Sequence, residues 1–574
     1  MLPLSLALGQ LGTADWLVLG AYFAALGGLG AWASRRGATS TADYFLASRS
    51  MPVWAVAFSI LSTAQSAATY VGVPAASYGG NLTYLSSSIG GIVAAIILAR
   101  VVIPAYYRLG VGTPYELLTA RFGSTGRIAA ASAYLVGRVF ASGARVFVAA
   151  IPAAVVLFGE DAGRGHQAVL IAIFTALGIA LCYVGGVRSV IWIDVLQVCV
   201  YLGAAIATIC AIAWHVNVPA DQVIDALRTG GSGGSGAGVG ASASKLTLIS
   251  LSTNPAATFT LWTALTGFVL LTLASHGADQ DLVQRMLTCK DSTRGAWSVI
   301  SGVLIGIPAV LIFLVLGLLL WWFYFARAGV EPKIAPAGDV AFQVFALNHM
   351  SGWGGAGLVI AGLFACGPAG INSGLSAMAS SFVSDVYRPL RTRRHPPAAC
   401  LACGHNRAGI PEAPACPECG LTPEAARARA DQHELRVGHA ATVGAGLSLG
   451  GMALLCSLWY DPANRTILDF VLAVMTFAYA GLLGVFGTAL FTRRGNPASC
   501  VAALIVGALT QVAFQPPIWN PVSAWAVGAL GMGPADGSAP APVVLAFPWQ
   551  LVVGAGVAFM VCWAGRPRVG TTGD

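Results

Sequence analysis

Long apolar stretches separated by short polar segments run the length of the chain. They fall near 15–34, 52–80, 83–107, 127–158, 166–184, 189–214, 257–275, 296–324, 353–384, 438–460, 466–491, 497–514 and 545–565. A helix of about 20 apolar residues crosses the hydrocarbon core of a bilayer. In lipid the backbone must satisfy its own hydrogen bonds, so runs of this length are expected to be helices. The pattern predicts an all-α polytopic membrane protein with about thirteen transmembrane helices.

Composition agrees with this reading. Hydrophobic residues make up 56% of the 574 residues and charged residues 9%, whereas a soluble chain carries roughly 25% charged residues. So few charges cannot build a water-facing surface, so most of the surface must meet membrane lipid. Seventy glycines suit close helix packing in a bilayer. The first apolar stretch runs into Arg35-Arg36 and lacks a basic segment before it, as a retained span does rather than a cleaved signal peptide.

The formal charge of +8 changes the picture only through its placement. With the N-terminus outside, most of the 31 basic residues fall in or beside inside segments: Arg35, Arg36 and Arg49; Arg100, Arg108, Arg121 and Arg127; Arg188; Arg285, Lys290 and Arg294; the run from Arg388 to Arg436; Arg493 and Arg494; Arg566 and Arg568. Each inside segment obeys the positive-inside rule. The charge therefore reads as topology in a plasma (inner) membrane, with the C-terminus cytoplasmic, and not as a nucleic-acid surface. No nucleophile–base set lies outside the membrane, so an enzyme is not expected.

Two polar segments interrupt the pattern. Residues 229–244 are a Gly/Ser stretch that reads as a flexible outside spacer. Residues 386–437 form a long polar inside loop containing Cys400-Leu-Ala-Cys403-Gly and Cys416-Pro-Glu-Cys419-Gly. Two Cys-x-x-Cys knuckles followed by glycine match a four-thiolate structural zinc site. A redox-active dithiol pair is the alternative. The loop is too short for an enzyme domain, and a docking surface for a cytoplasmic partner is its modest functional reading, beside an inert insertion.

Polar groups inside the spans mark a candidate site. Ser62, Thr63, Gln65, Ser66 and Thr69 interrupt the second span, and Thr272, Ser275, His276, Gly277 and Asp279 close the seventh. Polar, Gly-containing breaks in two spans are a pointer to a transporter's central site. Helix–helix hydrogen bonding by hydroxyls is the plain alternative for any one of them. Arg138 and Arg145 lie seven apart in the fourth span, on roughly one face. Arg138 reads as structural, paired with a carbonyl or with Asp194. Arg145, nearer mid-membrane, is a candidate clamp for an anionic group, because guanidinium binds carboxylate with two parallel hydrogen bonds. Asp194 near the inside end of the sixth span either serves a cation or pairs with an arginine.

Several segments together resemble the sodium:solute symporters: DYFLASRSMPVW, SAATYVGVPAASYGG, GTPYELLTARFG, GGVRSVIWIDVLQ, DQDLVQRMLTCKD, SDVYRP and GLLGVFGTALFTRRGNPAS, in family order from residue 43 to about 500. The resemblance implies a LeuT-like core of two inverted five-helix repeats. Its divisions are an extra N-terminal helix at 1–40, a first repeat at 41–215, an outside loop at 216–256, core helices six to eight at 257–385, the knuckle loop at 386–437, core helices nine and ten at 438–495, and C-terminal helices at 496–574. It also implies secondary active transport of a small solute by alternating access, with sodium as the coupling ion.

By motif matching, the family's sodium carbonyls fall on Ser62, Gln65 and Cys366, and its usual hydroxyl pair on Ala369 and Gly370. Those two positions carry no hydroxyl here, although hard cations take oxygen ligands. Asn372 and Ser373 stand one turn on, and Asp194 matches an aspartate that serves a second sodium in some members. Sodium at a displaced site, a proton on Asp194 or His276, and uncoupled passage are all open at this point, as is a transporter-derived sensor acting through the knuckle loop. The resemblance implies substrate-facing positions at Ser66, Thr69, Thr272, Ser275 and His276. Arg145, where some acid-transporting members carry a carboxylate-binding arginine, leans the substrate toward an organic anion.

Overall fold

A computed structural model describes residues 11–34, 41–159, 162–216, 218–229, 244–326, 336–394, 400, 416, 418–460, 467–529 and 542–566. Every regular element among them is helical. Eleven helices are long and apolar enough to cross a membrane, and two bent pairs bring the spans to thirteen. In chain order they are Thr13–Trp32, Val53–Ala64 with Thr69–Gly79, Thr83–Leu109, Thr119–Phe158, Arg164–Tyr183, Gly186–His215, Leu261–Ala278, Ser292–Ala326, Gly355–Arg391, Glu424–Trp459, Phe470–Phe491, Pro497–Ala513 with Pro516–Ala529, and Phe547–Ala564. The thirteen apolar stretches correspond to them one for one.

Three boundaries differ from the hydropathy reading. The seventh span does not end at 275 but continues past a break into Gln280–Leu287, all eight residues of which are buried. The twelfth turns by 75° into Pro516–Ala529. Prolines 516 and 517 disfavour helix in the residue before them and start a new helix well, so the bend falls there. The tenth begins at Pro423, inside the segment read as loop. Its first turn is capped by the Thr422 hydroxyl, which accepts from the Ala425 N–H, with Pro423 at the first helical position.

The ninth span is the most enveloped, packing against the helix Arg164–Val216 and the fourth span. Glycines permit the closest crossings. A Cβ at Gly317 would lie 2.1 Å from the Pro74 carbonyl, where the eighth span crosses the second half of the second span. One at Gly137 would lie 1.9 Å from Ala478 Cβ, between the fourth and eleventh.

Lys245, in the loop between the sixth and seventh spans, closes the end of Ala67–Gly79. Its buried ammonium donates to the carbonyls of Tyr78 and Gly80, both at 2.9 Å, and of Ser77 at 3.4 Å. It also lies 4.5 Å from the Trp321 ring centroid. A cation here meets carbonyls that a helix C-terminus leaves unpaired and complements its dipole. Burial lowers the ammonium pKa from 10.5 to about 8. Between those values the unfolded chain binds more protons than the folded one, so this group's contribution to stability rises with pH across that window. The thermal midpoint of the parent should therefore gain on that of Lys245→Met between about pH 8 and about pH 10. Parallel pH profiles for the two proteins would refute this.

Candidate substrate and ion site

The second span breaks where the polar run predicted. Val53–Ala64 ends at Gln65, whose backbone is extended (φ −89°, ψ 134°), and the two halves meet at 60°. The segment LSTAQSA contains neither Gly nor Pro, so the break owes nothing to backbone propensity and is held by tertiary contacts. Tyr201 donates its hydroxyl to Gln65 Oε1 at 3.2 Å, and Arg145 Nη1 donates to the Thr63 carbonyl at 3.3 Å. The carbonyls from Ser62 to Gln65 thereby lose the donors a continuous helix would give them. Ser62, Gln65, Ser66 and Thr69 are all buried at this break.

The seventh span breaks at Asp279. A π-turn covers Ala274–Ala278, and Asp279 is extended (φ −90°, ψ 120°) before Gln280–Leu287 begins. The Asp279 carboxylate caps that last helix by accepting from the Asp281 N–H at 2.9 Å. Tyrosines take up freed carbonyls: Tyr106 donates to Gly277, and Tyr115 to Ala278 at 2.9 Å. Thr272, Ser275 and His276 stand together on the preceding turn, with Ser275 Oγ 3.2 Å from the Thr272 carbonyl and 2.9 Å from His276 Nδ1.

A buried charge network joins the two breaks to their neighbours. Arg138 pairs with Asp279 at 2.9 Å and with Asp281. Arg285 pairs with Asp281 at 2.9 Å and with Asp194 at 3.1 Å. Ser59 accepts from Arg285 Nε at 2.8 Å and donates to Asp194. Tyr479 donates to Asp279 at 2.7 Å, and Ser373 to Asp281 at 3.0 Å. Spans two, four, six, seven, nine and eleven each contribute a member. Two expectations are corrected. Arg138 pairs with Asp279 and Asp281, not with Asp194 or a carbonyl. Arg285 is no loop charge: its side chain is fully buried. Lys290 and Arg294 still give that segment its basic character. The signal for this pairing was present in the carboxylates of DQD beside two intramembrane arginines, because charges in a membrane interior are paired with one another.

Arg145 differs from its neighbours. It is 7% exposed. Among the described residues, beyond Thr63, its Nη2 contacts only the thioether of Met475 at 3.5 Å, and its Nε has no hydrogen-bond partner. Among the described residues it makes no ion pair.

Of the expected cation positions, Cys366 and Asn372 are buried on the ninth span, and both amide atoms of Asn372 lack a partner among the described residues. Ser373 and Asp194 are engaged by the charge network, while the surroundings of Ala369 and Gly370 lie outside what the structure describes. The sulfurs of Cys400, Cys416 and Cys419 all lie within 4.8 Å of one another, and Cys403 lies outside the described residues.

Thirteen spans, two of them broken around buried charge, define a secondary transporter. Comparison with known proteins agrees. A family model, Sodium:solute symporter family, matches residues 44–397, and the chain belongs to that family. Membership makes it an integral membrane transporter of small solutes with sodium as the coupling ion. It is 24% identical over 503 residues to the sodium/sialic acid symporter of Aliivibrio fischeri, covering 87% of each chain. It is 26% identical over 378 residues to sodium-coupled monocarboxylate transporter 1 of Xenopus laevis, covering 65% of this chain and 56% of that one. Among solved structures it resembles a sodium-coupled sialic acid symporter in a substrate-bound outward-open state, with a TM-score of 0.71, 21% identity, and 96% and 97% of the two chains covered. A nucleobase–cation symport-1 family transporter in a closed conformation aligns at a TM-score of 0.50, 15% identity, and 92% and 94% coverage. The fold is thus the LeuT type that the resemblance implied.

Proposed function

We propose that this transporter carries a small organic carboxylate, held by Arg145, in symport with sodium. The observation behind this reading is the contrast among three buried arginines. Arg138 and Arg285 each meet two carboxylates, while Arg145 meets a carbonyl and a thioether. A buried cation without a counter-charge is costly unless function retains it, and a substrate carboxylate supplies that charge at the break of the second span. Ser66 and Thr69 beyond the break, with Thr272, Ser275 and His276 on the seventh span, offer hydroxyl and imidazole groups for the rest of a polar solute. The similarity to transporters of sialic acid and monocarboxylates supports the same chemical class.

Sodium is proposed to sit at the freed carbonyls of Ser62 and Gln65, facing Cys366, Ala369 and Gly370, with Asn372 supplying the side-chain oxygen that Ala369 and Gly370 lack. Two facts favour a sodium at this place over a proton on Asp194: Asp194 is already engaged by Arg285 and Ser59, and the Asn372 amide is buried without a partner among the described residues. The repeats 41–215 and 257–495 are proposed as the two inverted halves. The N-terminus is proposed to lie outside and the C-terminus in the cytoplasm of a plasma membrane, on the strength of the basic inside segments.

Purified protein in vesicles tests this reading. An imposed inward sodium gradient should drive uptake of labelled N-acetylneuraminate, pyruvate or lactate, and a potassium gradient should not. Sodium-driven uptake of neutral sugars with no carboxylate uptake would overturn the substrate class. Carboxylate uptake driven equally by a proton gradient without sodium would overturn the coupling.

A further inference from the structure

The transport site leaves the cysteine knuckles unexplained, and their geometry has its own chemistry. Cys416 and Cys419 lie in a tight turn in which the Gly420 N–H donates to the Cys416 carbonyl at 2.8 Å and the Cys416 N–H to the Leu421 carbonyl at 2.9 Å. Gly420 has φ +67°, a conformation that glycine adopts without strain. Cys400 arrives from the end of the ninth span, and its sulfur lies 3.7 Å from that of Cys419. A disulfide holds its sulfurs about 2.05 Å apart. Thiolates around tetrahedral zinc at about 2.3 Å stand about 3.8 Å apart. The 3.7 Å separation is too long for a disulfide and fits a pair of metal-bound thiolates.

The surroundings suit such a ligand. Cys400 and Cys416 are buried, with Cys419, Leu421 and Ala426 as their neighbours. Among the described residues this apolar cluster is small, and a metal bound only in the folded arrangement adds to its stability.

We propose that Cys400, Cys416 and Cys419 bind a zinc ion that staples the end of the ninth span to the start of the tenth. The three sulfurs bind as thiolates, and their protons pass to water. Three thiolates leave one position of the tetrahedron. The knuckle stands directly before Thr422, the cap of the helix Pro423–Trp459. Deeper toward the bilayer, the same two helices are joined again by Arg388 with Glu434 at 2.6 Å and by Tyr387 with His433 at 2.7 Å. With metal above and an ion pair below, the two helix ends move as one body.

The test uses full-length protein purified in detergent without chelator. Elemental analysis should find about one zinc per chain, close to none in the Cys416→Ser/Cys419→Ser double variant, and full zinc in Cys456→Ser, which alters a buried thiol elsewhere. Hydrogen exchange over 423–437 should speed up when the parent is stripped with a chelator and slow again when zinc is restored, while Phe470–Phe491 stays unchanged. This second measurement needs no variant to fold. Zinc well below one per chain in the parent, zinc retained by the double variant, a Cys400–Cys419 disulfide in the isolated protein, or exchange over 423–437 indifferent to zinc would each overturn the proposal.

Discussion

Arg285→Met should lose its cooperative thermal transition in detergent, or fail to accumulate in the membrane at all. Arg285 is fully buried and holds Asp194, Asp281 and Ser59 at once. Its removal leaves two carboxylates buried, with Asp281 keeping Arg138 and Ser373 and Asp194 keeping Ser59 but no cation among the described residues. Breaking one buried ion pair by deleting a partner costs about 3–5 kcal/mol, a large part of the roughly 5–15 kcal/mol that holds a domain together. Asp194→Asn should be milder, because an amide oxygen of the same shape still accepts from Ser59 and Arg285. The triple variant Arg285→Met/Asp194→Asn/Asp281→Asn should recover most of the lost stability, since it removes the orphaned charges together with their partner. Fluorescence-detected size exclusion after heating reads all three. If Arg285→Met melts with the parent, the network does not hold these spans together.

Much of this architecture was legible from hydropathy and charge, and the reasons differ by element. All thirteen spans were visible because lipid demands apolar side chains wherever a helix faces it. The break in the second span was visible because Ser62, Thr63, Gln65, Ser66 and Thr69 have no place on a lipid face. The end of the seventh span was misjudged for the converse reason. Gln280–Leu287 is polar in sequence but enclosed by protein, so its side chains bond to Arg138, Ser373, Ser376 and Ser380. A hydropathy window reads that segment as a loop, and Arg285 was counted among loop charges with it. Pairings were the least legible feature. Arg138 had a carbonyl or Asp194 within its sequence-level choices, and which carboxylate it meets depends on a seventh span that turns back into the core at Asp279. The bend at Pro516 and the capped start at Thr422 did carry local signals, a proline pair and a Thr-Pro-Glu cap, but each lies where polarity had already suggested a chain end or a loop.

Arg145→Ala should behave in the opposite way to Arg285→Met, and the contrast separates a ligand-holding cation from a structural one. Without substrate, the parent carries the Arg145 guanidinium buried against a carbonyl and a thioether. Removing it relieves a desolvation cost and strands no carboxylate, although it loses the contact to the Thr63 carbonyl, so the ligand-free variant should melt close to the parent and well above Arg285→Met. With substrate, variant and parent diverge. Hydrogen bonds to a charged group contribute about 1.5–3 kcal/mol, so Arg145→Ala should weaken carboxylate binding by roughly 10- to 100-fold. A saturating carboxylate with sodium should then raise the melting temperature of the parent but not of the variant. Arg145→Lys should fall between them, because an ammonium keeps the charge but loses the planar fork that matches a carboxylate. A ligand-free destabilisation as large as that of Arg285→Met would make Arg145 a structural residue. Unchanged carboxylate affinity in Arg145→Ala would move the anion elsewhere, and His276 and Ser275 on the seventh span would then be the next groups to replace.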